Sequence, residues 1–217
     1  MTDFLYPFIE GDEHDAGPLL LDLARSAEAK AAGSLALRGA TLARLDEELD
    51  ATATAMAERF DTGGRLFAFG NGGSSTDAAG TVSLFSQPPS GRSLPARSLV
   101  ADHAVLTALA NDVGYELVFS RQLISTARSD DIALGLSTSG GSVNLLHAFA
   151  EARKQGLLTV GLAGYDGGAM AAAGSVDHCL VVASDSVHRI QETQSAVVFD
   201  LWERIQRLLT PGTRHGR

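Results

Sequence analysis

Short apolar runs alternate with helical stretches along most of the chain after residue 64. The runs show no alternation of polar and apolar positions, which is typical of strands buried on both faces of a parallel sheet. They are Leu66–Phe69, Ile132–Leu136, Leu157–Leu162 and Cys179–Val182, with a weaker one at Arg97–Val100. The pattern therefore predicts an α/β fold, a doubly wound parallel sheet with helices on both faces.

Two helices are predicted before the sheet. The first runs from Pro18 to about Ala32, where Gly33 and Ser34 interrupt the pattern, and the second occupies residues 35–60. The second helix has one apolar stripe, which must be covered either by the sheet or by another subunit. That stripe consists of Leu42, Leu45, Leu49, Met56 and Phe60.

The chain is predicted to contain one sheet domain with shorter flanking segments. Residues 1–62 form an N-terminal arm and helices, residues 63–210 form the sheet domain, and residues 211–217 form a disordered tail. A closing helix begins near Ser186, because apolar residues recur at helical spacing after it.

Charge and cysteine content exclude several classes of function. The 217 residues include 17 basic and 26 acidic side chains, a formal net charge of −9, which argues against direct nucleic-acid binding. Cys179 is the only cysteine and is interpreted as a small buried hydrophobic residue. Neither a membrane span of ~18 apolar residues nor a signal peptide is recognised, so we expect a cytoplasmic location and no membrane partner.

Two glycine-serine turns each follow an apolar run and precede a helical stretch. The first turn, Gly70–Ser75, precedes Thr76–Phe85, and the second, Ser137–Ser142, precedes Val143–Arg153. Helix-start amides, glycines that allow close backbone approach and short hydroxyl side chains form an uncharged cradle for a phosphate. Either turn alone suits an ordinary loop. Two of them, both at carboxyl ends of parallel strands, favour a phosphorylated small molecule held between them.

Other phosphate and nucleophile motifs are missing from the sequence. No lysine follows the glycines, which excludes a P-loop, and residues 70–74 depart from the dinucleotide spacing. No Gly-x-Ser-x-Gly elbow occurs. Nucleotide hydrolysis, hydride transfer and a serine nucleophile are therefore disfavoured.

Five sequence blocks in order resemble the phosphoheptose isomerase branch of the sugar isomerase (SIS) domain family. The resemblance covers about residues 35–210. The blocks are GNGGS at 70–74, LTALANDVGYE at 106–116, STSGGS at 137–142, GLAGYDGG at 161–168 and RIQE at 189–192. The resemblance implies a flavodoxin-like three-layer sandwich, a sugar phosphate as ligand, and a homotetramer with its sites at subunit interfaces.

The resemblance also implies which residues contact the sugar phosphate. They are Asn71, Gly72, Gly73 and Ser74 in the first turn, Asn111 and Asp112 as sugar contacts, Ser137, Thr138, Ser139 and Ser142 as the phosphate cradle, and Gln191 as the ligand-binding glutamine of the last helix.

The chain departs from that family at the zinc ligands and proton-transfer groups. Gly80 and Leu84 stand where active members have a zinc-binding His and a catalytic Glu, and Phe199 stands where they have a catalytic, zinc-binding His. Gln194 stands where another histidine is common. Because Gly, Leu and Phe neither transfer protons nor bind zinc, we expect no metal cofactor and no zinc-dependent isomerisation.

Three functions are compatible with the sequence. The first is a cytoplasmic protein that binds a phosphorylated sugar without isomerising it. The second is an active ketose/aldose phosphate isomerase of the sedoheptulose 7-phosphate type with relocated acid/base groups, for which His103, His188 and Glu192 are candidates. The third is a protein-interaction module resembling the DnaA initiator-associating proteins, in which the acidic first fifty residues contact a basic partner.

Overall fold

The structure, a computed structural model, describes residues 17–210. The predicted arm at 1–16 and tail at 211–217 lie outside the described residues. The chain divides into two compact units between Ala36 and Leu37. This division falls inside the first helix, α1 (Gly17–Arg44).

Within residues 17–210, five parallel strands form one sheet in the order β2-β1-β3-β4-β5. The strands are β1 (Leu66–Gly70), β2 (Ala96–Ser98), β3 (Ile132–Ser137), β4 (Leu158–Gly164) and β5 (His178–Val182). Every residue of β1, β3 and β4 is buried, which accounts for the unbroken apolar runs in the sequence. The strand order is that of the flavodoxin-like doubly wound fold, so the predicted fold class is confirmed.

Helices connect the strands and cover both faces of the sheet. After α1 they are α2 (Asp46–Asp61), α3 (Gly73–Ser86), α4 (His103–Asp112), α5 (Val118–Thr126), α6 (Val143–Lys154), α7 (Gly168–Ala172) and α8 (Val187–Leu209), with a short 3-10 turn at Tyr115–Leu117. In the part of the chain that the structure describes, none of these helices combines the length and apolar character needed to span a membrane.

Two apolar clusters form the core, one on each face of the sheet. Leu66 and Ala68 of β1 point into a cluster with α2, α3 and α8. Phe67 and Phe69 point into the other cluster, with α5 and α6. This alternation follows from the two-residue side-chain period of a strand and produces the three layers of the sandwich.

The two N-terminal helices meet at Leu45, not at Gly33 and Ser34. α1 continues through both of those residues, and only Leu45 separates the end of α1 from the start of α2. A glycine inside a helix costs only about 1 kcal/mol relative to alanine, which a long helix can tolerate. The predicted interruption at Gly33 and Ser34 is therefore wrong.

The apolar stripe predicted before the sheet is covered within the chain. Leu45, Leu49, Met56 and Phe60 are each at most 3% exposed, and Leu42 packs against the same cluster. α2 contacts β4, β5 and α8. Because the sheet unit supplies this burial, the stripe gives no argument for a second subunit.

Cys179 lies half-buried on β5 and packs against the second apolar cluster. Burial, and to a smaller extent the charge of Glu48, raises the pKa of the Cys179 thiol to about 11. The thiol is therefore protonated at neutral pH and is a poor nucleophile, which agrees with a packing role.

Asp131 fastens the amino ends of β1 and β3 together. Its carboxylate accepts hydrogen bonds from the Arg65 backbone N–H at 2.8 Å, from Arg65 Nη2 at 2.7 Å and from the Arg128 backbone N–H at 2.8 Å. Asp131 is 2% exposed. Arg65 also donates to the Thr126 carbonyl at 2.7 Å. Removing the carboxylate would leave these donors without their acceptor in a buried setting.

We expect Asp131→Ala to lower the free energy of unfolding by about 2 kcal/mol, the cost typical of leaving partly buried donors without their acceptor; the Arg65 side chain, 36% exposed, can turn to solvent. Urea unfolding followed by circular dichroism measures this loss. The control is Asp22→Ala, because Asp22 pairs with Arg25 on the surface, where both side chains are more than three-quarters exposed. That change should cost less than about 0.5 kcal/mol. Equal losses in the two variants would contradict the assignment.

Candidate functional site

The two glycine-serine turns lie side by side at the carboxyl edge of the sheet. β1 and β3 are neighbours, and Gly70 pairs with Leu136 in their register. A Cβ at Gly70 would lie 2.6 Å from the Ser74 carbonyl oxygen and 2.9 Å from the Leu136 carbonyl oxygen. Any side chain at position 70 would clash with these two carbonyl oxygens, so glycine is required there. The strand order changes direction between β1 and β3, which is where doubly wound sheets bind ligands.

The phosphate cradle, residues 137–142, combines hydroxyl groups with the open end of α6. Ser137 Oγ lies 3.5 Å from Ser139 Oγ and 3.3 Å from Ser142 Oγ. Ser142 immediately precedes α6, but its side chain does not cap the helix. The Leu145 and Leu146 amides donate to the Ser142 carbonyl at 3.1 Å, so the amides of Val143 and Asn144, the first two of α6, keep their donors for another acceptor. Such an end together with clustered hydroxyls is suited to a phosphate.

The two glycines of the cradle have different roles. Gly140 is buried with φ at +63°, and a Cβ there would lie 2.0 Å from the Gly167 carbonyl oxygen. Its backbone carbonyl accepts from Met170 N at 2.8 Å, so Gly140 serves packing against the β4–α7 loop. Gly141 is exposed, and only Ser139 Oγ, at 3.8 Å, lies near its Cβ position. Backbone approach by a ligand is thus open at Gly141.

Asn71 joins the first turn to α6. Its side chain and that of the buried Asn144 exchange two hydrogen bonds of 2.9 Å, from Nδ2 to Oδ1 in each direction. The Tyr115 hydroxyl also donates to Asn71 Oδ1, at 2.9 Å. Asn71 therefore holds the crevice in shape as well as facing it. Neither Asn144 nor Tyr115 was among the predicted contact residues, although Tyr115 lies inside the block at 106–116.

The other predicted first-turn residues surround the start of α3. Gly72 has φ at +55°, a backbone conformation that favours glycine. Gly73 is the first residue of α3, and a Cβ there would lie 2.4 Å from Gln191 Nε2. Ser74 is 4% exposed, at the base of the turn. Thr138 is half-buried in the cradle.

Asn111 and Asp112 lie exposed at the carboxyl end of α4. Asn111 Nδ2 donates to Asp112 Oδ1 at 2.8 Å, so the two side chains are linked to each other. Tyr115 follows three residues later and contacts Asn71. That contact attaches the segment after α4 to the first turn.

Gln191 reaches from α8 to α3 and contacts a carboxylate that sequence analysis missed. Gln191 Nε2 donates to Asp77 Oδ2 at 3.0 Å. Burial raises the pKa of Asp77, and the hydrogen bond from Gln191 partly offsets this rise. Asp77 stands three residues before Gly80 and seven before Leu84, on the same face of α3. That spacing was the signal that could have identified it.

A pocket of about 240 Å³ lies between α3 and α8. Its lining includes Asp77, Gly80, Thr81, Leu84, Val198 and Phe199. Leu136, the last residue before the cradle, also lines it. The pocket therefore opens beside both the first turn and the cradle.

Zinc does not fit this pocket. Gly80, Leu84 and Phe199, at the positions expected for zinc ligands, offer no donor atom, and Asp77 is the one ionisable side chain in the lining. Among residues 17–210, no group of three His, Cys, Asp or Glu side chains is placed to hold a metal ion.

The three candidates for relocated acid/base groups lie outside the pocket. His103 begins α4, and His188 and Glu192 lie on the first turns of α8. All three are exposed, and none contributes to the pocket lining. The structure brings Asp77, and none of these three, next to the first turn.

Comparison with known proteins gives consistent matches over most of the chain. The model of the SIS domain matches residues 32–164. The phosphoheptose isomerase of Roseiflexus sp. (strain RS-1) is 42% identical over 163 residues, which cover 73% of this chain and 81% of that protein. The phosphoheptose isomerase of Paramagnetospirillum magneticum (strain ATCC 700264 / AMB-1) is 37% identical over 185 residues, covering 84% and 94%.

A solved structure agrees with these sequence matches. Phosphoheptose isomerase GmhA from Neisseria gonorrhoeae superimposes with a TM-score of 0.79 at 30% identity, covering 85% of this chain and 99% of that one. Sequence and fold therefore lead to one assignment. The chain belongs to the SIS domain family, in the phosphoheptose isomerase branch.

Proposed function

We propose that this protein binds a phosphorylated sugar between the first turn and the phosphate cradle, and that it does not carry out zinc-dependent isomerisation. One observation carries the proposal. The cradle residues stand next to a pocket in which Gly80, Leu84 and Phe199 occupy the positions of zinc ligands. The phosphate end of the site has hydroxyl groups that can bind a phosphate, whereas the reactive end has no zinc ligand at these three positions.

The cradle supports phosphate binding without a charged side chain. Its residues 137–142 contain four hydroxyl groups and no ionisable group. The uncapped start of α6 adds the partial positive charge of a helix N-terminus. Relatives that are phosphoheptose isomerases, matching along most of their length, support a sugar as the rest of the ligand.

The reactive end lacks the groups that isomerisation needs. A ketose-to-aldose conversion moves a proton between two carbon atoms and a second proton between two oxygens. It also needs a positive group or donor to stabilise the negative oxygen of the intermediate. The pocket lining supplies one carboxylate, Asp77, and no cation. Of its three hydroxyls, those of Thr81 and Ser195 already donate to the Asp77 and Gln191 backbone carbonyls, which leaves Thr76 as a donor. Binding is therefore better supported than turnover.

Asp77 is the observation that favours the second candidate, an isomerase with relocated groups. Its carboxylate lines the pocket, and burial raises its pKa towards the range useful for a base. His103, His188 and Glu192 have no comparable placement. If the protein is an active isomerase, Asp77 is the base to test.

An interaction module of the DnaA initiator-associating type has less support. Part of the acidic segment is used within the chain, because Arg204 pairs with Asp46 at 2.7 Å, with Asp50 at 2.5 Å and with Asp200 at 2.6 Å. These carboxylates are less available to a basic partner than the sequence alone indicates.

Sugar phosphate binding is tested by isothermal titration with sedoheptulose 7-phosphate. We expect binding in the wild-type protein and about tenfold weaker binding in Ser139→Ala, since the lost hydroxyl is a donor to a charged phosphate. The control is Thr54→Ala, which removes an exposed hydroxyl bonded to the Asp50 carbonyl on α2 and should leave the affinity unchanged. No heat change at millimolar ligand would refute the proposal.

The absence of zinc chemistry is tested by a gain of function. The triple variant Gly80→His, Leu84→Glu, Phe199→His should bind about one zinc ion per chain by mass spectrometry of metals, whereas the wild type should bind none. A Cβ at Gly80 meets nothing within 4 Å, so the new side chain has room. The wild type should show no turnover in a coupled isomerase assay. Turnover that Asp77→Asn abolishes would instead establish the second candidate.

We further propose a cytoplasmic homotetramer, with its ligand sites at subunit interfaces. Support comes from the amino end of α1, where Leu20, Leu21 and Leu23 are each more than half exposed. We expect Leu20→Glu together with Leu23→Glu to lower the mass measured by multi-angle light scattering, and Lys30→Glu on the same helix to leave it unchanged. A wild-type monomer at micromolar concentration would contradict this part of the proposal.

A further inference from the structure

The pocket between α3 and α8 has two chemically distinct sides. Leu84, Val198 and Phe199 form an apolar wall. Asp77 lies on the other side, where its carboxylate accepts one hydrogen bond from Gln191. A carboxylate has acceptor positions for several donors, so one bond leaves capacity for a ligand N–H or O–H. The pocket therefore suits a group with a polar N–H next to an apolar end.

Val198 and Leu84 belong to or pack on the first apolar cluster, whereas Phe199 presents apolar surface that this packing does not cover. Phe199 is 45% exposed although it contacts the Trp202 ring, with centroids 5.3 Å apart. Gly80 faces open space, because a Cβ there meets no atom within 4 Å. Gly80, which has no side chain, and the half-exposed Phe199 both line the pocket, whose volume is about 240 Å³. The hydroxyl groups of a sugar chain would not be stabilised by contact with this apolar wall. An aliphatic group would be stabilised, because binding there removes its surface from water.

The pocket is continuous with the proposed sugar phosphate site. Leu136 lines it and is followed directly by Ser137, the first cradle residue. Gln191 contacts Asp77 and also packs on Gly73 at the first turn. A substituent on the bound sugar can therefore enter the pocket while the phosphate occupies the cradle.

We infer that this protein selects sugar phosphates that carry an acylamino group, with the amide N–H donating to Asp77 and the acyl chain packing against Leu84, Val198 and Phe199. This inference rests on the proposed sugar phosphate site and names its substrate class. It also gives Gly80 a function: the missing side chain provides the space for the acyl chain.

The test is a ligand series in which only the acyl chain grows. Glucosamine 6-phosphate acylated with acetyl, propanoyl and butanoyl groups is titrated into the full-length wild-type protein, with glucose 6-phosphate and sedoheptulose 7-phosphate as references. Each added methylene that enters an apolar pocket should tighten binding by about fourfold. The readout is the ratio between successive ligands, so an overall change in affinity does not affect it.

Gly80→Leu is the decisive variant, because its side chain enters the pocket from a position where the backbone is unobstructed. We expect the ratio per methylene to fall to about one. Gly39→Leu is the matched control, since Gly39 is also an exposed helical glycine with nothing within 4 Å of its Cβ position. That variant should keep the fourfold ratio. Melting temperatures of both variants verify that each remains folded.

The outcomes separate the two proposals. If sugar phosphates bind but wild-type affinities do not change with acyl length, the acylamino inference is overturned and the proposed function stands. If no sugar phosphate binds, both are overturned. If Gly80→Leu leaves the ratios unchanged and instead alters the mass measured by light scattering, the pocket belongs to a contact between copies of the chain, and the inference is again overturned.

Discussion

The site depends on how closely the carboxyl ends of β1 and β3 approach each other. At Gly70 the backbone of the first turn passes so near the Ser74 and Leu136 carbonyls that no side chain can be accommodated. The helices that follow then leave on opposite faces, α3 into the cluster with α2 and α8, and α6 into the cluster with α5. Because the two helices leave on opposite faces, a crevice opens between the ends of β1 and β3. The same connections that cover the sheet therefore also give a ligand access to its edge.

Polar but uncharged groups keep the crevice in shape. Asn71 and Asn144 bond to each other across it, and Gly140 packs against the loop after β4. Paired amides satisfy each other's donors and acceptors, so they can be buried at little cost. The chain's own side chains therefore hold the crevice in shape, so that a phosphate bound as proposed would meet hydroxyls and amides that are already oriented.

Local patterns in the sequence predicted the strands, both turns and most helices, because β1, β3 and β4 are buried on both faces and each turn has glycine where the backbone requires it. The boundary between α1 and α2 at Leu45 could not be predicted from the sequence. Gly33 and Ser34 do not end the helix, and the boundary lies where Leu45 packs into the core against the sheet. Asp77 was missed for a similar reason. Its importance comes from Gln191, which is 114 residues away in sequence and adjacent only in the folded chain.

Asp77 also affects what the pocket between α3 and α8 can do. A carboxylate without a nearby cation opposes the build-up of negative charge on a neighbouring sugar oxygen, which is the charge that isomerisation creates. The same carboxylate attracts N–H and O–H donors, and burial strengthens that attraction by removing competing water. Gly80, Leu84 and Phe199 line the same pocket and offer no metal-binding atom, so the pocket places an apolar space beside an acceptor. Under the proposed function, the same position that lacks a positive charge for an intermediate has room to recognise a substituent of the sugar.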